Sequence, residues 1–186
     1  DFELGFRHQS ETFSINTNLY YMLYNEQLVL TGNRDNVGNP IRTNSGDSYR
    51  LGLEIEAAVK PLEWLTIQPA ITISSNKNKS TVISRDGSLV DLGKTNISFS
   101  PEVVLSNALV FSPTNNLNFS LLTKYVGEQF MGNTDSEASK LESYFVNDIN
   151  VSYQLDTKAF VKSITFSALV NNIFNEKYIS NGYYYT

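Results

Sequence analysis

The feature that most constrains this chain is an alternation of apolar and polar side chains held over long runs. From Tyr49 the odd positions read Tyr49, Leu51, Leu53, Ile55, Ala57, Val59, while the even ones read Ser48, Arg50, Gly52, Glu54, Glu56, Ala58. A period of two belongs to a β-strand with one apolar face, because successive side chains point to opposite sides of a sheet. The same split recurs from Phe13 to Leu23, Leu65 to Ile73, Phe99 to Phe111, Leu117 to Tyr125, Phe145 to Leu155 and Ile164 to Phe174. With a shorter run through Phe2, Leu4 and Phe6, eight strands and no convincing helix are predicted. The chain reads as all-β.

These runs persist for roughly the 9–11 residues that a tilted strand needs to cross a bilayer, against about 5–6 for a globular strand. No Asp, Glu, Lys or Arg falls on their apolar face, whereas Glu3, Arg7, Arg50, Glu54, Glu56, Glu102, Lys124, Glu128 and Asp148 fall on the other. That is the charge rule of a lipid-facing wall. Thr17, Asn107, Thr123, Asn147 and Asn172 are polar exceptions on the apolar side. Composition agrees: charged residues are 18%, below the roughly 25% of soluble domains, and Asn, Ser and Thr number 21, 21 and 14. A polar surface that is mostly uncharged suits a water-lined pore wall.

Several classes are excluded. Without cysteine there is no disulfide framework, thiolate metal site or cysteine nucleophile. A net charge of −5 argues against nucleic-acid binding, which needs cations to replace counterions on phosphates. The longest apolar run, Leu19 to Tyr24, is six residues, far short of the roughly 18 of a membrane helix. His8 is the only histidine, near a short turn on the apolar face, so no His-based catalytic set is predicted, and no metal or cofactor. Glu54 and Glu56 share a strand face with Arg50, which suggests a salt-bridge network rather than paired catalytic carboxylates.

Connections alternate between short (about Ser10, Lys60 to Glu63, Ser112 to Asn116, Asp156 to Val161) and long (Gly32 to Asp47, Lys77 to Ser98, Phe130 to Glu142). Outer-membrane barrels have short periplasmic turns and long extracellular loops, so the long set is assigned to the outside. Both chain ends then lie on the outer side, and the chain is expected to be a piece of a larger barrel with at least one further strand. A soluble, lipocalin-like barrel of eight strands is the rival. Its inward faces would be too rich in Phe, Tyr, Leu and Ile to leave a cavity.

The stretch Leu19 to Glu56, LYYMLYNEQLVLTGNRDNVGNPIRTNSGDSYRLGLEIE, resembles the late barrel strands of TonB-dependent outer-membrane receptors, particularly those of Bacteroidota-type bacteria. Val170 to Tyr178, VNNIFNEKY, resembles the strand and loop before that family's final strand. The resemblance implies a 22-stranded barrel in the Gram-negative outer membrane, closed by a plug and importing a scarce solute with energy passed through TonB. Residues 1–186 would be the C-terminal portion of that barrel, without plug, TonB box or last strand. A ferric siderophore-type complex is the implied cargo, with vitamin B12, haem or glycans as alternatives. The implied partners are the TonB complex through the plug, outer-membrane lipid and the small-molecule nutrient. Candidate extracellular ligand contacts are Arg34 and Arg42, cations able to attract an anionic chelate, and Tyr183, Tyr184 and Tyr185, which with Tyr178 could equally form an aromatic girdle. Arg50, Glu54, Glu56, Lys124 and Glu128 are the candidate lumen-facing polar network.

Overall fold

The computed structural model describes residues 1–34, 36–44, 46–85, 88–157 and 160–184, and of 29–34, 40, 43–44 and 84–85 the backbone alone. In chain order the strands are β1 (Phe2–Gln9), β2 (Phe13–Tyr24), β3 (Leu28–Arg34), β4 (Pro40–Asn44), β5 (Ser48–Leu62), β6 (Leu65–Asn78), β7 (Val82–Arg85) and β8 (Ser88–Asp91). They continue as β9 (Thr95–Asn96), β10 (Val103–Thr114), β11 (Leu117–Val126), β12 (Gln129–Phe130), β13 (Lys140–Leu141), β14 (Tyr144–Asp156) and β15 (Ser163–Val170). The eight long members form one antiparallel sheet in the order β1-β2-β5-β6-β10-β11-β14-β15, each strand beside its neighbour in sequence. Among the described residues β1 and β15 are each paired on one side only. The sheet is therefore an open wall, and the closed eight-stranded barrel of the rival reading is not formed.

Register confirms the two faces. Across the wall Leu4 lies opposite Leu19, Leu19 opposite Leu53, and Leu53 opposite Ile73. Further on, Ile71 faces Leu105, Leu105 faces Tyr125, and Tyr125 faces Phe145. Large apolar side chains on this side stand open, among them Phe6, Leu53, Ile73, Leu105, Phe145 and Phe166. A single sheet with so much bare apolar area would be unstable in water, where burying it yields about 25 cal/mol per Å². Against lipid the same surface is satisfied. An aromatic cluster closes the short-turn end: Trp64 meets Phe111 edge-on at 5.4 Å, and Phe111 lies 6.1 Å from Phe119.

The wall departs from the predicted runs at three points. Strand β6 continues past Ile73 to Asn78, and the register sets Lys77 opposite Tyr49, so the charge-free face ends at this lysine. The run predicted from Phe99 begins at Val103 instead, because Phe99 has φ +51° and turns the chain. The last run stops at Val170 rather than Phe174. There Asn172, at φ +50°, accepts from the Glu176 N–H and donates to the Glu176 carbonyl, both at 2.8 Å, fixing a turn where the strand would continue.

The segments predicted as long loops carry structure of their own. Strands β3 and β4 make one hairpin, β7 and β8 a second, and β12 pairs β13 around a short 3₁₀ turn at Glu137–Ser139. Buried apolar side chains are few and gather near this end: Ile97, Val126, Leu141 and Val146. Burial thus gathers at the loop end of the wall, where Val126 and Val146 of the wall strands meet Ile97 and Leu141 of the loops.

Candidate functional site

The loop end of the wall is where separate hairpins meet. The Asn96 backbone N–H donates to Asp135 Oδ1 and the Ser98 N–H to Asn133 Oδ1, each at 2.9 Å, and the Phe99 N–H donates to the Phe130 carbonyl at 2.8 Å. These bonds join the segment before β10 to the segment after β12. Residues 178–184 join them from a third place. Tyr178 stacks on Tyr144 with centroids 4.2 Å apart, and the Tyr184 hydroxyl donates to Ser136 Oγ at 3.0 Å. Burial follows: Ser139 and Leu141 are enclosed beneath this layer.

Between the first two segments lies a cleft of about 250 Å³, lined by residues that include Asn96, Ser100, Glu102, Tyr125, Glu128 and Phe130. Glu102 is paired with Lys77 at 2.7 Å, and Lys77 also donates to Asn96 Oδ1. The lining offers carboxylates and amides beside aromatic rings, groups that bind polar ligands without changing them. Among the described residues no three His, Cys, Asp or Glu side chains gather as a metal site. The cleft escaped the sequence reading because its walls come from loops far apart in the chain. The one available signal was the acidic pair Glu102 and Glu128 on the polar face.

Of the predicted network residues Arg50, Glu54, Glu56 and Lys124 share the polar face, while Glu128 lies past the end of β11 at the cleft. Glu54 lies opposite Asn18 and Thr72, Glu56 opposite Asn16 and Ala70, and Lys124 opposite Ser106 and Val146. Arg50 stands nearer the loops, where its Nη1 donates to Ser100 Oγ at 3.2 Å and its guanidinium carbon lies 6.0 Å from the Tyr24 ring centre. Among the described residues the ion pairs are Lys77–Glu102, Lys79–Asp47 and Lys140 with both Glu137 and Glu142. None joins two members of the predicted set.

The predicted ligand contacts are scattered. Arg42 is exposed on β4 across from Leu30. Tyr183 is exposed, while Tyr184 is held by Ser136. The Arg34 side chain and all of Tyr185 lie outside the described residues. His8 sits on the apolar face opposite Ile15, its ring 6.1 Å from Phe13, in keeping with a wall residue near a turn. Lys140 in the outer loop holds its proton more tightly than an ordinary lysine, chiefly through its hydrogen bond to Glu137, helped by the charges of Glu137 and Glu142.

Comparison with known proteins explains the wall. Residues 1–173 match the family model of the TonB dependent receptor-like β-barrel. Among solved structures the chain is similar to BauA, the ferric preacinetobactin receptor of Acinetobacter baumannii, at 16% identity and TM-score 0.69 over 95% of this chain and 25% of that one. It is similar also to the siderophore receptor PiuA of the same organism (14%, TM-score 0.72, 96% and 24%). The ferric yersiniabactin uptake receptor FyuA of Yersinia pestis gives 16% identity and TM-score 0.70 over 97% and 25%. Among curated proteins no sequence relative matches. The chain spans about a quarter of the length of these receptors, which at such identities share its fold. Family and neighbours are receptors rather than enzymes. An exposed apolar face, an opposed polar face, alternating short and long connections and the match over residues 1–173 make this chain a member of the TonB-dependent receptor β-barrel family, part of a Gram-negative outer-membrane wall.

Proposed function

We propose that this chain is part of the wall of an outer-membrane receptor that takes up a scarce solute, a ferric siderophore-type complex, with energy passed from TonB through a plug domain. The observation that carries the proposal is the family match over nearly the whole chain, supported by a fold shared with siderophore receptors. The unpaired edges of β1 and β15 support the rest of the reading, in which these are late strands of a larger barrel. An open sheet edge cannot persist in hydrocarbon, where every backbone group needs a partner. In that setting Arg50, Glu54, Glu56, Lys124 and Glu128 are the residues that would line the interior, and Arg34, Arg42, Tyr183, Tyr184 and Tyr185 those that would contact the ligand.

The test is growth of a strain lacking the receptor gene on single sources of iron, vitamin B12, haem or glycan. Loss of growth on a ferric siderophore alone, restored by the intact gene and not by one with an altered TonB box, is the expected result. Growth unaffected on every iron source, or restored without a working TonB box, would overturn the proposal.

A further inference from the structure

Alternation fixes the register of a strand only to within an even number of residues. A slip by one sends every apolar side chain to the wrong face, but a slip by two leaves the pattern intact. A tight turn at Asn115 and Asn116 removes that ambiguity between β10 and β11. Between β11 and β14 no such turn exists, because their connection runs through residues 127–143; β6 and β10 are likewise joined only through residues 79–102.

Across these pairings one row of outward polar side chains crosses the wall. Asn107 lies opposite Pro69 on one side and Thr123 on the other, and Thr123 lies opposite Asn147. Above and below in the same face stand Leu105 and Leu109, Tyr125 and Leu121, Phe145 and Ile149. The Thr123 hydroxyl donates to Asn147 Oδ1 at 2.9 Å, and Asn147 is only 5% exposed. Two enclosed atoms are left without partners, Asn147 Nδ2 and Asn107 Oδ1. Directly opposite Thr123 on the β10 side, with facing Cβ atoms about 4.5–5.5 Å apart, is Asn107.

We propose that the polar row of Asn107, Thr123 and Asn147, closed on the β14 side by the Thr123 hydroxyl donating to Asn147 Oδ1, fixes the register of β14 against β11 in the membrane. Slipped by two residues, Asn147 faces Leu121 in one direction and Tyr125 in the other, whose hydroxyl is a ring's length away. The amide is then enclosed among apolar groups where no water can replace the lost bonds. The native register alone brings amide, hydroxyl and amide abreast. The polar row surrenders some stability relative to an all-apolar one and excludes the slips that alternation permits, the role for which buried polar groups are best attested.

This chain has no cysteine, so in the full receptor, with any cysteine elsewhere replaced by serine, register can be read by cysteine pairs. Ser120→Cys with Asn150→Cys reports the native pairing, since these residues are opposite. Ser120→Cys with Ser152→Cys or with Asp148→Cys reports the slips, because disulfides need Cα atoms within about 7 Å. In the native background only the first pair is expected to close. With Asn107→Leu, Thr123→Val and Asn147→Leu combined, closure of a slipped pair is expected to rise about tenfold, whereas Thr123→Ser, which keeps the hydroxyl, retains native closure. Native closure alone in the triple variant overturns the proposal. A second readout avoids the triple variant: hydrogen exchange at the Asn147 side-chain amide, slow in the native receptor, should accelerate in Thr123→Val, and an unchanged rate overturns the proposal.

Discussion

The ring of Tyr20 lies across Gly52 on the neighbouring strand, so close that a Cβ at position 52 would run into the tyrosine oxygen and stand 2.5 Å from Cζ. The two residues are directly opposite in the pairing of β2 with β5, on the polar face. The glycine leaves the space that the ring fills. Gly52→Ala is therefore expected to push the ring off the strand and destabilise the barrel by about 1–3 kcal/mol, as overpacking does. Urea unfolding of the receptor in lipid vesicles measures this. Gly52→Ala combined with Tyr20→Ser should recover most of the loss, since the clash needs both side chains. Equal losses in the single and double variants would show that the contact is not the cause.

Neighbouring positions on β6 separate the two faces without changing depth. Ile71 lies on the apolar face between Ile55 and Leu105, while Ala70 lies on the polar face between Glu56 and Ser106. Ile71→Arg is expected to cost about 2–4 kcal/mol in folding into lipid, the penalty of a cation on the lipid side near the midplane. Ala70→Arg should cost far less, because its guanidinium enters the polar face beside the Glu56 carboxylate. Folding yields that fall equally for both would contradict the assignment of faces.

The eight long strands and their faces were legible because alternation is local: each residue's neighbours two positions away carry the signal. What escaped depends on contacts or backbone angles that no period records. Positive φ at Phe99 delays the start of its strand and at Asn172 ends the last run, and an apolar residue such as Phe99 gives no hint of it. The hairpins β3–β4 and β7–β8 are short and their few apolar residues are adjacent rather than alternating. The cleft is assembled from residues 96–103 and 125–130, joined through Asn133 and Asp135 side chains that looked like ordinary loop polarity. The polar exceptions Asn107, Thr123 and Asn147 were visible singly in the sequence. Only the register showed them to be one row.

Lys140 offers a test of the loop by titration. Its hydrogen bond to Glu137 and the charges of Glu137 and Glu142 raise its pKa above the ordinary 10.5. A group whose folded pKa is raised contributes stability that is present at neutral pH and lost as pH rises through the folded value. The ammonium of Lys140, followed by nitrogen chemical shift in the full receptor, should therefore titrate above 10.5. Glu137→Gln should lower its midpoint more than Glu142→Gln, because Glu137 supplies the largest part of the shift. The reverse order would show that the bond seen at 3.0 Å is not the one that holds the proton.

Gly182 tests whether the segment near Tyr184 holds the outer loop in place. A Cβ on Gly182 would lie 2.7 Å from Met131 Sδ, and Met131 begins the stretch whose N–H donates to the Ser139 carbonyl at 2.7 Å. Gly182→Ala must move either the methionine or the segment carrying Tyr184, whose hydroxyl is bonded to Ser136 beside that turn. The expected outcome is faster hydrogen exchange at the Met131 and Ser139 amides, with barrel unfolding little changed because the wall strands are untouched. Adding Met131→Ala should return exchange toward the native rate by reopening the space. If Gly182→Ala leaves both amides as protected as before, the segment rests on the loop without holding it.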